Sequence, residues 1–232
     1  MDFHEYLRVA LYILGGTGWT AGLILGAMGL GLAIGVPLAS LEVYGPRWLR
    51  PPLRLYVWFF RGIPILVLLF LIYFGVYSAV EKFWLAQMGT RLELSPFSAS
   101  LVALGLTSGA YQSQIFRGAI LSLPRGQFMA ATALGFSAPG AVLRIVLPQA
   151  MRVAIPAWSN EYSIVLKDSA VAFALGTMEI MARTKFMAAY TYKHIPFYIL
   201  AGFLYFVLTW LGVRLLKYLE RKTRIPGLGH GF

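Results

Sequence analysis

Five predominantly apolar runs, at residues 17–41, 53–77, 97–116, 154–175 and 195–216, decide what this chain can fold into. Each approaches or exceeds the roughly 20 residues that a helix needs to cross a hydrocarbon layer of about 30 Å. None alternates polar and apolar residues in the manner of a membrane barrel strand, so the runs read as helices. Hydrocarbon tolerates only structures that satisfy their own backbone N–H and C=O groups. The reading is therefore an all-α integral membrane protein with about five transmembrane helices, and the whole chain, 1–232, reads as one transmembrane domain. Composition agrees: 59% of the residues are hydrophobic and 12% are charged, too little charge for a water-soluble domain of this length.

The net charge of +11 does not point to nucleic acid, because the cations flank the apolar runs. Arg47, Arg50 and Arg54 follow the first run, Arg117, Arg125, Arg144 and Arg152 follow the third, and Arg214, Lys217, Arg221, Lys222 and Arg224 close the chain. These regions share one face. Arg8, Lys82, Arg91, Arg183, Lys185 and Lys193 lie on the other, together with Asp2, Glu5, Glu81, Glu93 and Glu179. The positive-inside bias then places the C-terminus in the cytoplasm and, with an odd number of spans, the N-terminus outside. The acidic opening, with Asp2, Glu5 and a single Arg8, is unlike a cleavable signal peptide, and retention of the N-terminus is expected. Cys is absent and His4, His194 and His230 are far apart in sequence, so no metal site is expected. The basic tail reads as an anchor near anionic lipid.

Gly18, Gly22 and Gly26, then Gly31 and Gly35, leave one face of the first run nearly bare. Such a face suits close helix packing in the bundle or a dimer, with lining of a site as the lesser alternative. The 117–152 loop is long for a connection and is not polar linker material. Phe128, Ala131, Leu134 and Gly135 recur at helical spacing, Ser137 suits a cap, and Pro139 suits a first turn. The spacing predicts two short helices crossing at a glycine, the second stopped by Pro148. A protrusion with exposed apolar residues and Arg, free of acid from Arg117 to Arg152, reads as a docking surface for another protein.

Ala130-Ala131-x-x-x-Gly135, nine residues, then Ile145-x-Leu147-Pro148 resembles the EAA loop of membrane subunits in binding-protein-dependent ABC importers. "RGIPILVLLFLIYFG" (61–75), "AYQSQIFRGAILSLPRGQ" (110–127) and "SNEYSIVLKDSAVA" (159–172) are similar to the polar amino acid permeases of that group. Two positions depart from the family pattern: Met129 stands where Glu is usual at the head of the loop, and Gln114 replaces an acidic residue. The resemblance implies the type I importer permease fold with a cytoplasmic coupling helix, placed in a bacterial cytoplasmic membrane. It implies that Ala130, Ala131, Gly135, Phe136, Ser137, Arg144, Leu147 and Pro148 meet an ATP-binding subunit dimer. A second permease subunit, identical or related, and an extracytoplasmic solute-binding protein are the other implied partners. No phosphate-binding G-x-x-x-x-G-K-[ST] loop occurs, so no cofactor and no enzymatic role are expected in this chain, and ATP belongs to the partner subunit.

Glu161, Lys167 and Asp168 fall inside the fourth run, where a charge is expensive unless paired or wet. Glu161 and Asp168 are seven residues apart, which stacks both carboxylates on one helix face about 10 Å apart. One reading is a buried network that fixes packing. The other, favoured by the resemblance, is a cavity in which Glu161, Asp168 and Ser169, with Asn160 nearby, hold the cationic groups of an amino acid. Arg61 has two readings as well: contact with a substrate carboxylate, or snorkelling to the membrane surface. The expected function is the membrane subunit of an ATP-driven importer of polar amino acids, with basic ones as candidates, that works by alternating access. The alternative is a stand-alone transporter or channel driven by an ion gradient, which the lack of a recognisable inverted repeat disfavours.

Overall fold

A computed structural model describes residues 2–90, 95–124 and 126–223, and among them every regular element is helical. Arg91, Glu93, Arg125, Arg224, His230 and the end of the basic tail lie outside the described residues. Helix α1 (Phe3–Leu14) leads through Gly15 into α2 (Gly16–Tyr44). A 3-10 turn at Arg47–Leu49 precedes α3 (Arg50–Gly62), and α4 (Ile65–Phe70) continues through a π-turn into α5 (Ser78–Met88). Helix α6 (Pro96–Ser122) is followed by the short α7 (Gly126–Ala133) and α8 (Ala138–Ala141). A π-turn joins α8 to α9 (Leu147–Ser169), and α10 (Ile180–Thr191) and α11 (His194–Thr223) complete the bundle.

Four stretches are long and apolar enough to cross a membrane: His4–Tyr44, Ile65–Met88, Ala138–Leu175 and His194–Thr223. The remaining expected span is α6, whose Ser, Thr and Gln residues keep it out of that set of apolar stretches. Its 27 residues, about 40 Å, are enclosed by α2, α3, α4 and α9, so the other helices cover its polar groups.

Two expectations are corrected by the backbone, and one helix lies outside all of them. The run at 53–77 is two helices, because Ile63 and Pro64 are extended between α3 and α4. Proline disfavours the helical conformation of the residue before it, and here that bias wins. Pro148 stops nothing: it falls in the first turn of α9, directly after the π-turn at Val142–Val146, and the helix continues through it. The segment after Ser137 is consequently one long helical stretch rather than a short helix. Residues 3–14, outside all the apolar runs, also form a helix, packed on α10 and α11 through Val9 and Ile13.

The glycine face of α2 packs as expected, and its partner is α6. Gly22 meets Phe97, Gly26 meets Leu101, Leu30 meets Gly105 and Ile34 meets Gly109, so the two helices run parallel. Parallel neighbours require the chain to recross between them, which α3 to α5 do. Helix α9 then runs antiparallel to α6, with Glu161 opposite Ser108 and Trp158 opposite Gln112. Helix α11 runs antiparallel to α9, with Tyr162 donating to the Leu208 carbonyl. Gly18 takes no part, because it lies a turn before the level at which α6 begins.

At Gly35 an added Cβ would stand 2.9 Å from both Gln112 Cβ and Ser113 N, whereas Gly18 has open space around it. Gly35→Ala is expected to destabilise the folded chain by about 1–3 kcal/mol, the usual range for overpacking, and Gly18→Ala to leave it unchanged. Thermal unfolding of the two purified variants in detergent checks the difference.

Candidate functional site

Two polar clusters interrupt the apolar interior. The first joins α2, α6 and α9. Glu161, only 2% exposed, accepts a hydrogen bond at Oε1 from the Ser108 hydroxyl at 2.8 Å. Gln112 donates to Ser108 Oγ at 3.0 Å and to the Met28 carbonyl at 3.1 Å, and accepts from the Trp158 indole N–H at 2.8 Å. These positions follow from the local sequence: Ser108 and Gln112 are one turn apart on α6, and Gly31 on α2 is bare enough for the Gln112 amide to lie against it. Among the described residues Glu161 Oε2 has no hydrogen-bond partner.

The charges of Asp168 and Arg61 act on Glu161, so three of the sequence-derived candidates share one electrostatic neighbourhood. Asp168 is half-buried beside the exposed Lys167. The Arg61 guanidinium lies over the Tyr111 ring, 4.6 Å from its centroid, at the C-terminal end of α3. Asn160 is exposed on the neighbouring face of α9. Ser169 does not join this group. It is fully buried, its hydroxyl donates to the Leu166 carbonyl at 2.7 Å, and it lies beside Tyr205.

Tyr205 belongs to the second cluster. Its hydroxyl donates to Glu179 Oε2 at 2.6 Å, while Glu179 caps α10 by accepting from Met181 N at 2.8 Å and Ala182 N at 2.6 Å. Ile180 N donates to Thr20 Oγ1 at 3.2 Å, which ties the start of α10 to α2. A carboxylate at a helix N-terminus with three donors is fully committed, and its role is architectural.

The loop keeps its expected glycine turn. Gly135 takes a positive φ of 86°, and Phe136 N and Gly135 N donate to the Ala131 and Thr132 carbonyls, closing α7 as a Schellman motif. Ser137 caps α8 through Gly140 N at 3.3 Å. The expected contact residues divide into two sets: Ala130, Gly135, Ser137, Arg144 and Pro148 are exposed and Phe136 is half-buried, whereas Ala131 and Leu147 are buried. Met129 on α7 and Leu134 just after it are the large apolar side chains exposed here, at 62% and 80%. On its other side α7 is held by Phe128, which stacks on Tyr44 with centroids 4.8 Å apart. Two residues before Tyr44, Glu42 accepts from Arg117 Nε at 3.2 Å, Arg54 Nε at 3.5 Å and Gln114 Nε2 at 3.3 Å.

Sequence reasoning missed Ser108, Gln112 and Trp158. The available signal was a Ser and a Gln one turn apart in an apolar run, but nothing in the sequence pairs Ser108 with Glu161 across 53 positions or Gln112 with Trp158 across 46.

Apolar spanning helices, a buried carboxylate within one of them and an exposed helical knob outside together define a membrane component of a solute transporter. The chain belongs to the family of binding-protein-dependent transport system inner membrane components, whose pattern it matches over residues 31–225. It is 33% identical over 170 residues to the histidine/lysine/arginine/ornithine transport system permease protein of Escherichia coli K12, covering 73% of this chain and 75% of that one. It is 34% identical over 217 residues to an octopine transport system permease protein of Agrobacterium tumefaciens strain Ach5, covering 93% and 87%. A crystal structure of an amino acid ABC transporter with histidines superposes with a TM-score of 0.77 at 29% identity, over 96% of this chain and 99% of that one. An inward-facing methionine ABC transporter shares the fold, with a TM-score of 0.72 at 19% identity over 97% and 100%. The chain is thus a non-enzymatic, multi-pass transmembrane subunit of an ABC importer, and ATP hydrolysis resides in a partner subunit.

Glu179→Ala removes the α10 cap and strands the Tyr205 hydroxyl, at an expected cost of about 2 kcal/mol or more. Glu179→Gln is expected to cost less, since its amide still accepts from one N–H and donates to the Tyr205 oxygen. Thermal unfolding of both variants against wild type tests this order.

Proposed function

We propose that the chain carries polar amino acids, basic ones among them, through a path that passes Glu161. The observation that supports this is the Glu161 carboxylate within a span, with Oε1 held by Ser108 and Oε2 without a partner among the described residues. A carboxylate in hydrocarbon is a costly feature unless it serves a cation, and the ammonium or basic side chain of an amino acid is one. Asp168, Asn160 and Arg61 are its proposed companions, Arg61 suiting the substrate carboxylate. The names of the relatives, which include histidine, lysine, arginine, ornithine and octopine systems, agree with that substrate class. Ser169 is assigned a structural role.

In this reading the N-terminus is outside, the C-terminus is cytoplasmic, and the whole chain acts as one domain. Two permease subunits face each other, a solute-binding protein delivers the amino acid, and ATP-driven closure of the ATP-binding dimer shifts the population between two facings of the path. The α7 knob is the coupling element, with Leu134 and Met129 as its apolar contact. Met129 leaves the contact without the carboxylate usual at that position.

Uptake into proteoliposomes holding the complete complex is the test. Glu161→Gln is expected to slow uptake of the preferred amino acid at least tenfold in an assembled complex, about the worth of one hydrogen bond to a charged group. Wild-type uptake by that variant would overturn the cavity reading. Leu134→Asp is expected to abolish retention of the ATP-binding subunit on purification without lowering the thermal midpoint of the permease itself. Uptake is expected to stop on ATP depletion and to persist with an uncoupler. The reverse pattern would favour an ion-driven transporter.

A further inference from the structure

The inner polar cluster contains more groups than are needed to bury one carboxylate. Its hydrogen bonds can be assigned one by one, because one member is a donor only. The Trp158 indole N–H has no acceptor capacity, so the Gln112 atom facing it at 2.8 Å is the carbonyl oxygen Oε1. That fixes the Gln112 NH₂ on the opposite side, where its two hydrogens meet Ser108 Oγ at 3.0 Å and the Met28 carbonyl at 3.1 Å. Ser108 Oγ is thereby an acceptor towards Gln112, and its single hydrogen is left for another partner. The choices are the Met28 thioether at 3.8 Å and Glu161 Oε1 at 2.8 Å, and the carboxylate oxygen is both nearer and the stronger acceptor. Every N–H and O–H of this cluster is then used, and among the described residues the oxygen of the cluster left without a donor is Glu161 Oε2.

We infer that Trp158 and Gln112 are positioning residues for transport: through Ser108 they form a one-directional relay that holds Glu161 by Oε1 and presents Oε2 to the cationic group of the transported amino acid. The inference rests on the reading of Glu161 given under Proposed function. Gln112 is fully buried and Trp158 is half-buried, so neither needs to touch the solute. Their effect is on the orientation of Ser108. Without the indole donor, Gln112 Oε1 loses its partner and the amide is anchored at the Met28 carbonyl alone. Its NH₂ is then less firmly held against Ser108, the Ser108 hydroxyl is freer to rotate away from Glu161, and the carboxylate is less well fixed. The four links span three helices, with Met28 on α2, Ser108 and Gln112 on α6, and Trp158 and Glu161 on α9. The relay therefore also sets the depth at which Glu161 sits.

The experiment is a mutant cycle on uptake by the complete complex in proteoliposomes, using whichever of the twenty radiolabelled amino acids wild type takes up fastest. Trp158→Phe removes the N–H and keeps the aromatic bulk, Ser108→Ala removes the last donor, and both are combined with each other and with Glu161→Gln. Each single variant is expected to raise the apparent KM about tenfold while the maximal rate changes much less. The pair Trp158→Phe with Ser108→Ala is expected to match Ser108→Ala alone, because one acts through the other. Trp158→Phe is likewise expected to add nothing in the Glu161→Gln background. Singles that multiply to about a hundredfold, or a Trp158→Phe variant with wild-type KM, would overturn the relay. If Ser108→Ala does not assemble, Gln112→Met, which keeps the volume and deletes the middle link, takes its place with the same expectations. A Glu161→Gln complex with wild-type KM, or no uptake of any amino acid, would instead overturn the reading of Glu161 on which the relay rests.

Discussion

The close parallel approach of α2 and α6 is the contact on which the rest of the bundle depends. It exists because glycines face side chains alternately across the seam: Gly22, Gly26, Gly31 and Gly35 from α2, Gly105 and Gly109 from α6. Between helices in lipid there is little hydrophobic gain from association, so the attraction comes from packing that only small residues allow. At that distance a backbone carbonyl of α2 becomes a usable partner for a side chain of α6, and Gln112 takes the one at Met28. Had Gly31 carried a Cβ, the Gln112 nitrogen would stand 2.5 Å from it, so the polar cluster and the packing seam are the same piece of structure.

The parts of this arrangement that were legible in the sequence are those governed by one helix at a time. Apolar length marked the spans, and four-residue glycine spacing marked a face made for close packing. Gly135 and Ser137 announced the turn between α7 and α8, because a positive φ and a side-chain cap are local requirements. Pro64 and Pro148 show the limit. Both are helix signals of the same residue type, yet Pro64 marks a break and Pro148 sits in a first turn. What separates them is the chain just ahead: Ile63 is extended, whereas Val146 is still helical. The inner cluster was half legible for a related reason. A charge inside an apolar run is conspicuous, so Glu161 and Asp168 were found, but Ser108 and Gln112 are unremarkable until a carboxylate is placed opposite them. Ser169 was drawn to Glu161 by proximity in sequence and is instead tied to its own helix and to Tyr205.

Glu179 and Glu161, the two most deeply buried of the three buried glutamates among the described residues, solve the same desolvation problem differently. Glu179 is saturated: two backbone N–H groups and a phenol fill it, and in return it starts α10 and binds that helix to α11. Removing such a group is a loss of architecture. Glu161 has one neutral donor where Glu179 has three, although both lie in the interior. A fold that needed Glu161 only for packing would gain by filling its second oxygen or by replacing the residue with an apolar one of similar size, since buried polar groups stabilise only when satisfied.

Glu42 supplies the contrast that gives this meaning. It lies buried at the end of α2, where Arg54 and Arg117, whose side chains remain 58% and 36% exposed, both reach it, so two cations are paired with one carboxylate. Such an acid has its charge compensated and little left to offer a third cation. Glu161 is held by a hydroxyl, and among the described residues no cation is paired with it at contact distance. In the proposed role its ionised form would keep its attraction for a positive group that arrives and leaves, while the hydroxyl orients it. An ion pair at that position would have stabilised the same geometry and removed the same affinity. On the proposed function, the contrast between a hydroxyl at Glu161 and paired arginines at Glu42 is therefore a contrast between an acid left able to bind a cation and one already committed.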